Sequence, residues 1–279
     1  MAKKEKKPKD EMSFLDHLEE LRWVLVKSSA AVVLMGIVSY FFADYIFEEL
    51  IFGPTDPSFV TYRFFCDASH YLGFADSICI TELNFIIQNT EMEGQVNVFV
   101  WICITTGFIL AFPYILWQFW KFISPALYEK ERKGARVFIF VASILFFLGV
   151  LFGYYVIVPM SVNFLATFSI SSIVKNQFTI ASYISMVKTA VIASGLFFEL
   201  PVIIYFLTKL GVVGPAFLRK YRKYAVVIVL IVAAVVTPPD VISQVTVAVP
   251  MLLIYEGSIW ISVIVEKNKK RNEQISSRI

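Results

Sequence analysis

The chain has 279 residues, of which 58% are hydrophobic and only 17% are charged, and its formal net charge is +3. Soluble domains are nearer half apolar and a quarter charged, so this composition excludes an ordinary soluble domain and indicates a multi-span membrane protein. So small a net charge gives no reason to expect nucleic-acid binding. No glycine pattern of a nucleotide site is present, only two histidines are available for catalysis, and no spacing resembles a zinc site. We therefore expect neither an enzyme nor a bound cofactor or metal.

Residues 1–12 form a lysine-rich arm that we predict to be disordered. The segment "SFLDHLEELRWVL" follows, in which Ser13 and Asp16 make a capping-box pattern. Phe14, Leu18 and Leu21 then recur at helical spacing, with charged residues on much of the remaining surface. The pattern predicts an amphipathic helix that lies at the cytoplasmic interface and runs into the first span.

Six apolar segments are candidate membrane spans, because about 18–20 apolar residues cross the hydrocarbon layer of a bilayer. The predicted spans are approximately Val24–Phe47, Val98–Trp120, Val137–Val158, Ser185–Leu207, Tyr224–Val236 and Val245–Val265. They predict an all-α membrane domain over residues 13–266, followed by a basic cytoplasmic tail over residues 267–279.

Lysine and arginine residues set the predicted orientation of these spans. They cluster before the first span, after the second, after the fourth and in the tail, whereas the other loops hold only Arg63, Lys175 and Lys188. An excess of these residues marks the cytoplasmic side. Both termini are therefore predicted to lie in the cytoplasm, which agrees with an even number of spans.

The first outer loop is long, from about residue 48 to residue 96, and holds two of the three cysteines, Cys66 and Cys79. Disulfides persist in oxidising compartments, and an outer loop can face one. The sequence leaves two alternatives open, a Cys66–Cys79 disulfide or two free and partly buried thiols.

The last two spans are predicted to be short. Only about 14 residues lie between Lys223 and Pro238, which at 1.5 Å per residue is near 20 Å, and Pro250 and Glu256 interrupt the sixth span. Because a short apolar span thins the bilayer or leans on its neighbours, we expect local thinning on that side of the protein.

Glu199 is a carboxylate in the middle of an apolar run, where it costs about 2.5–3.5 kcal/mol on insertion scales and usually marks function. Lys188 on the same helix face is about 16 Å away along the axis, too far to pair with it. Pro201 predicts a kink, and Gly195 leaves room for a neighbouring side chain. The alternative is a structural carboxyl hydrogen-bonded between helices. Glu256 is a second intramembrane carboxyl, for which snorkelling to the interface is the alternative.

Four segments, "FLDHLEELR", "FPYILWQFWKFISPALYEKER", "FFELP" and "TPPDVISQ", occur in this order along the chain. Together they resemble the TatC family, the large receptor subunit of the twin-arginine protein translocase, and the similarity runs from about Ser13 to Val265. The resemblance implies a concave, glove-like bundle of six helices with the last two short.

The resemblance also implies a function and a location. Members of this family bind the twin-arginine signal peptides of folded cargo proteins, and transport is driven by the proton-motive force without a nucleotide. Their partners are single-span subunits of the TatA and TatB type, further copies of themselves and membrane lipid. The implied location is the bacterial cytoplasmic (inner) membrane, with several spans.

Site residues are carried over by motif. Glu20 and Glu131 match the carboxylates that receive the arginines of the signal, which they can hold by charge-assisted bonds. On composition alone both would be solvated ion pairs. Arg22 and Phe122 match other residues of the recognition region.

Three residues outside that region match an outer-face functional motif, namely Pro54, Asp240 and Gln244. Glu199 matches the buried polar residue of the concave face, where a signal or a partner helix would approach it beside Gly195. Residues from about 55 to 93 form an insertion onto which the resemblance transfers nothing.

Two other hypotheses fit the sequence. The first is a proton-coupled secondary transporter that uses Glu199, supported by a carboxyl beside a broken helix but by no internal repeat. The second is a scaffold whose intramembrane carboxyls only specify helix packing.

Overall fold

A computed structural model describes residues 14–71, 79, 83, 85–123, 135–171 and 173–276. The predictions made for the N-terminal arm, Ser13 and Glu131 lie outside the described residues.

The described chain is mostly helical. In chain order the helices are α1 (Phe14–Tyr40), α2 (Ala43–Tyr45), α3 (Val60–Tyr71), α4 (Gly94–Ile123), α5 (Ala135–Phe152), α6 (Val158–Thr167), α7 (Ile180–Phe197), α8 (Leu200–Lys209), α9 (Pro215–Lys220), α10 (Arg222–Val236) and α11 (Val241–Ser276). π-Helical turns cover Ile46–Ile51 and Gly153–Ile157, and a 3-10 turn covers Gly53–Thr55. The strands β1 (Ile86–Gln88) and β2 (Gln177–Thr179) pair in parallel.

Five helical stretches of the described chain are long and apolar enough to cross a membrane. They are His17–Tyr40, Gly94–Ile123, Val137–Thr167, Ile180–Lys209 and Ser243–Lys269. They overlap five of the six predicted spans and agree with an all-α membrane protein. The remaining prediction corresponds to α10, whose 15 residues rise only about 22 Å, so this helix is short as expected and the count of six spans stays a prediction.

One predicted boundary and one predicted interruption are wrong. The first span ends at Tyr40 rather than Phe47, because the Phe41 N–H donates to the Val38 carbonyl and turns the chain into α2. The last helix is not short, since α11 runs for 36 residues without a break at Pro250. A proline removes only one backbone N–H, and membrane helices tolerate that loss when their neighbours support the freed group.

The chain divides into two compact units, Met1–Phe41 with Ile104–Ser143, and Phe42–Cys103 with Ile144–Ile279. Within the first unit, α1 and the second half of α4 approach closely at two glycines. A Cβ placed on Gly107 would lie 2.6 Å from the Gly36 nitrogen and 2.6 Å from the Val32 carbonyl oxygen. This contact therefore requires a residue without a side chain at position 107.

Within the second unit, the glycines of a G-x-x-x-G pattern bring α5 and its continuation against α7. A Cβ on Gly149 would lie 2.7 Å from the Ser194 carbonyl oxygen, and one on Gly153 would lie 2.8 Å from the Ala190 carbonyl oxygen. The Ser194 hydroxyl also donates to the Gly149 carbonyl at 2.7 Å. Small residues commonly permit such backbone approach in membranes.

Candidate functional site

A ring contact joins the start of α1 to the end of α4. The His17 ring stacks on the Phe122 ring with centroids 4.3 Å apart and planes inclined by 16°. Glu20 follows His17 by three positions, so both side chains leave the same face of α1. We call His17, Glu20 and Phe122 the α1/α4 cluster. The sequence pattern puts His17 on a polar helix face and gives no sign of this contact.

Glu20 is half-buried, and its Oε2 atom is buried without a hydrogen-bond partner among the described residues. Leaving a buried acceptor without a hydrogen bond costs about 1–3 kcal/mol, and the cost is higher when the group is charged. An incoming guanidinium can satisfy it with paired N–H donors, in a bond roughly twice as strong as a neutral one. The chemistry of this atom therefore suits a cationic ligand.

The remaining residues of the predicted recognition region are less informative. Arg22 is exposed, and its position two residues after Glu20 places it away from the Glu20 face of α1. Phe122 is half-buried, with its ring engaged by His17. Glu131 lies outside the described residues.

Glu199 lies at the break between α7 and α8, which confirms the predicted kink at Pro201. Its carbonyl accepts the Val202 and Ile203 N–H groups, which start the new helix. Its side chain is only 5% exposed, and Oε1 finds no hydrogen-bond partner in the part of the chain that the structure describes. A buried polar acceptor is thus held at a helix break inside the fourth apolar stretch.

The space beside Gly195 is already filled. A Cβ on Gly195 would lie 2.8 Å from Cε2 of Phe146, so the neighbouring side chain that the glycine accommodates belongs to the same chain. The expectation that a visiting helix uses this gap is therefore wrong. The cause is a tertiary contact that the sequence of one helix does not reveal.

Lys188 makes a cation–π contact, with its Nζ atom 4.7 Å from the centre of the Trp101 ring.

Glu256 has an ion-pair partner that the sequence interpretation missed. Its Oε2 atom accepts from Arg222 Nη2 at 2.8 Å, and the two side chains are 40% and 50% exposed, respectively. The pair ties the first residue of α10 to α11. Because exposed pairs contribute only about 0–1 kcal/mol, this pair adds little to the stability of the fold.

Asp240 and Gln244 both support the start of α11. Asp240 Oδ2 accepts the Ser243 N–H at 2.7 Å, the geometry of a helix N-cap, while its Oδ1 is buried without a partner among the described residues. The Gln244 side-chain amide donates to the Leu230 carbonyl at 3.2 Å and so ties α11 to α10.

Replacing Asp240 with alanine is expected to destabilise the protein by about 0.5–2 kcal/mol, because the N-cap acceptor is lost. Asp240→Asn keeps an oxygen at the same place and should recover most of this loss. Chemical unfolding in detergent micelles, followed by tryptophan fluorescence, measures the difference. Equal losses in both variants would show that Asp240 does not act as a cap.

Pro54 is buried within the 3-10 turn, and two tyrosine hydroxyls hold the segment around it. The Tyr62 hydroxyl lies 2.8 Å from the Pro54 carbonyl oxygen and 3.2 Å from that of Pro159, and the Tyr183 hydroxyl donates to the Ile51 carbonyl at 2.6 Å. Burial raises the pKa of Tyr62, so it remains a neutral donor. These tyrosines carry no sequence motif.

The first outer loop contains a covalent cross-link. Cys66 on α3 and Cys79 form a disulfide, and Cys103 on α4 is a free cysteine.

Comparisons with known proteins place this geometry in context. The sequence model of a family described as "Sec-independent protein translocase protein (TatC)" matches residues 16–250. A protein of Blattabacterium sp. subsp. Periplaneta americana (strain BPLAN) called Sec-independent protein translocase protein TatC is 42% identical over 95% of this chain and 100% of its own length. A protein of the same name from Aquifex aeolicus (strain VF5) is 33% identical over 93% of this chain and 98% of its own length.

A solved structure is also similar. It is described as the crystal structure of the twin arginine translocase receptor TatC, and it superimposes on this chain with a TM-score of 0.69 at 32% identity. The match covers 90% of this chain and 99% of that one.

Proposed function

The chain belongs to the TatC family of Sec-independent protein translocase proteins, and from this membership we propose that it is the receptor component of a twin-arginine translocation system. In this role it binds the twin-arginine signal peptides of folded proteins and organises the translocase for export driven by the proton-motive force. The observation that carries the proposal is the match over 90% of the chain to a twin arginine translocase receptor. The described geometry adds a buried, unsatisfied carboxylate oxygen on Glu20, which suits a guanidinium.

The proposal extends to location and partners. We propose a multi-pass protein of the bacterial cytoplasmic membrane, with both termini in the cytoplasm, that acts as a receptor and not as an enzyme. Its partners are then single-span subunits of the TatA and TatB type and further copies of this chain. The asymmetric distribution of lysine and arginine supports this orientation.

Recognition begins at the α1/α4 cluster. Glu20 and Glu131 receive the two arginines of the signal, each through charge-assisted hydrogen bonds. The stacked rings of His17 and Phe122 offer an aromatic surface beside Glu20, against which apolar residues that follow the arginines can pack. Arg22 belongs to the proposed recognition region by its motif and is exposed on another face of α1.

Glu199 is proposed as a polar contact for the signal or for a single-span partner. Burial without a partner makes the Glu199 carboxyl able to gain a hydrogen bond from an incoming group. Because Phe146 fills the space at Gly195, the approach to Glu199 must use another side of the helix break. At the outer motif, Asp240, Gln244 and Pro54 act by holding the turns that present this side of the bundle.

The proposed function is tested by comparing two signals on the purified chain in lipid nanodiscs. A fluorescent twin-arginine signal peptide is titrated with the protein, and a matched peptide carries two lysines instead. Lysine keeps the charge but lacks the planar paired donors of arginine. We expect binding of the arginine peptide and at least about tenfold weaker binding of the lysine peptide. Equal binding of both would contradict the receptor assignment.

Replacing Glu199 separates a transport role from a packing role. Because Oε1 makes no hydrogen bond to the described residues, Glu199→Leu should keep the fold while lowering export of a twin-arginine substrate at least about tenfold. Glu199→Gln retains a donor and an acceptor and should export more than the leucine variant. Export assays in cells and thermal unfolding in detergent measure the two effects. The packing hypothesis instead requires Glu199→Gln to export like the wild type and Glu199→Leu to unfold, so thermal unfolding of the leucine variant separates the two.

The rival of a proton-coupled secondary transporter gains nothing from the comparisons. The relatives and the solved structure described above are translocase proteins, and the family match covers most of the chain.

A further inference from the structure

Three ligand-type side chains converge in the first outer loop. Cys66 and His70 are four positions apart on α3, so they leave the same face of that helix. The disulfide brings Cys79 to this face, where its Sγ atom lies 3.8 Å from His70 Nε2. The two sulfurs and a ring nitrogen of His70 all lie within 4.8 Å of one another.

We propose that this loop binds one zinc ion through Cys66, His70 and Cys79 when the disulfide is reduced. Zinc takes thiolate sulfur at about 2.3 Å and imidazole nitrogen at about 2.0–2.1 Å, which places neighbouring ligands of a tetrahedral site roughly 3.5–3.8 Å apart. The distance of 3.8 Å between His70 Nε2 and Cys79 Sγ already lies within this range. Breaking the sulfur–sulfur bond frees the two sulfurs to separate to the same spacing.

A dithiol can serve as the reductant of the Cys66–Cys79 disulfide. The dithiol gives two electrons and two protons to the Cys66–Cys79 bond, which becomes two thiols, while the dithiol itself closes to a disulfide. Zinc then displaces one proton from each thiol, because the thiolate is the metal ligand. His70 binds as a neutral imidazole, and water takes the fourth position, as in other Cys2His sites.

The three ligand side chains are accessible to metal ions in solution. The His70 side chain is exposed, and Cys66 and Cys79 are half-buried. Hydrated ions can therefore reach the ligands without opening a hydrophobic core.

The disulfide and the zinc site are alternatives, because they use the same two sulfurs. Either one connects α3 to Cys79 across 13 positions of sequence. The loop is therefore closed in oxidising surroundings by the disulfide and in reducing surroundings by the metal. Sequence rules for zinc sites look for pairs of cysteines at short spacing. Cys66 and Cys79 are 13 positions apart, so such a rule does not find this site.

The test uses the full-length protein in detergent micelles, with Co²⁺ as the spectroscopic probe. Protein reduced with a phosphine is freed of reductant without air and titrated with Co²⁺. We expect a thiolate-to-cobalt absorption band that saturates at one equivalent per chain and disappears when Zn²⁺ is added. Oxidised protein should give no band. Reduced wild-type protein without a band at stoichiometric Co²⁺ would overturn the proposal.

The chain provides matched controls for each ligand. Cys66→Ser and Cys79→Ser should abolish the band, and His70→Ala should weaken Co²⁺ binding at least about tenfold. Cys103→Ser and His17→Ala remove the third cysteine and the other histidine, and should bind as the wild type does. Equal affinity of the His70 and His17 variants would also overturn the assignment. Circular dichroism establishes that each variant keeps its helices.

Discussion

Neutralising Glu20 and Glu131 together, as Glu20→Gln with Glu131→Gln, is expected to weaken binding of a twin-arginine signal peptide by roughly a hundredfold or more. A hydrogen bond to a charged group contributes about 1.5–3 kcal/mol, and two such contacts are removed. Their combined loss of about 3 kcal/mol or more converts to this factor. Fluorescence anisotropy of a labelled signal peptide, titrated with protein in nanodiscs, measures the dissociation constant.

The same two segments supply a charge-matched control. Glu19→Gln with Glu129→Gln changes the net charge by the same amount, and Glu19 is exposed on a neighbouring face of α1. This variant should bind within about twofold of the wild type, because solvated surface charges contribute little. Equal losses in the two double variants would mean that the signal senses the overall potential and not these carboxylates.

Replacing Gly149 with leucine is expected to destabilise the second unit by more than the 1–3 kcal/mol that overpacking usually costs. The Cβ atom of the new side chain alone would lie 2.7 Å from the Ser194 carbonyl oxygen and 2.8 Å from the Gly195 Cα atom. Backbone atoms cannot rotate away as a side chain can, so α5 and α7 must separate. Separation also breaks the hydrogen bond from the Ser194 hydroxyl to the Gly149 carbonyl.

Gly257 is the matched control for this change, because it also lies in a helix and a Cβ there meets nothing within 4 Å. Gly257→Leu should leave stability unchanged or raise it slightly, since leucine is the better helix former. Denaturant unfolding of both variants in micelles gives the comparison. A Gly149 variant as stable as the Gly257 variant would contradict the packing described for α5 and α7.

Much of the fold follows from local sequence patterns. Apolar length alone predicts the segments that become the five membrane-length helices, and Pro201 correctly predicts the break between α7 and α8. The short length of α10 also follows from counting the residues between Lys223 and Pro238. These features depend on residues close together in the chain, so one sequence is enough to predict them.

Long-range packing accounts for what the sequence did not predict. Phe146 fills the space at Gly195 from 49 positions away, and Arg222 pairs with Glu256 across 34 positions. Neither contact leaves a periodic signal. Pro250 predicted a break that does not occur, because the continuity of a membrane helix through a proline depends on its neighbours. The stacking of His17 on Phe122 likewise joins residues of different helices.

The central claim is that Glu20 directly contacts an arginine of the signal peptide. A double-mutant cycle tests it, with Glu20→Gln in the protein and each signal arginine changed to glutamine in turn. Dissociation constants for the four combinations in each cycle give the coupling free energy. We expect about 1.5–3 kcal/mol of coupling between Glu20 and one of the two arginines. Additive effects within about 0.5 kcal/mol for both arginines would contradict direct recognition by Glu20.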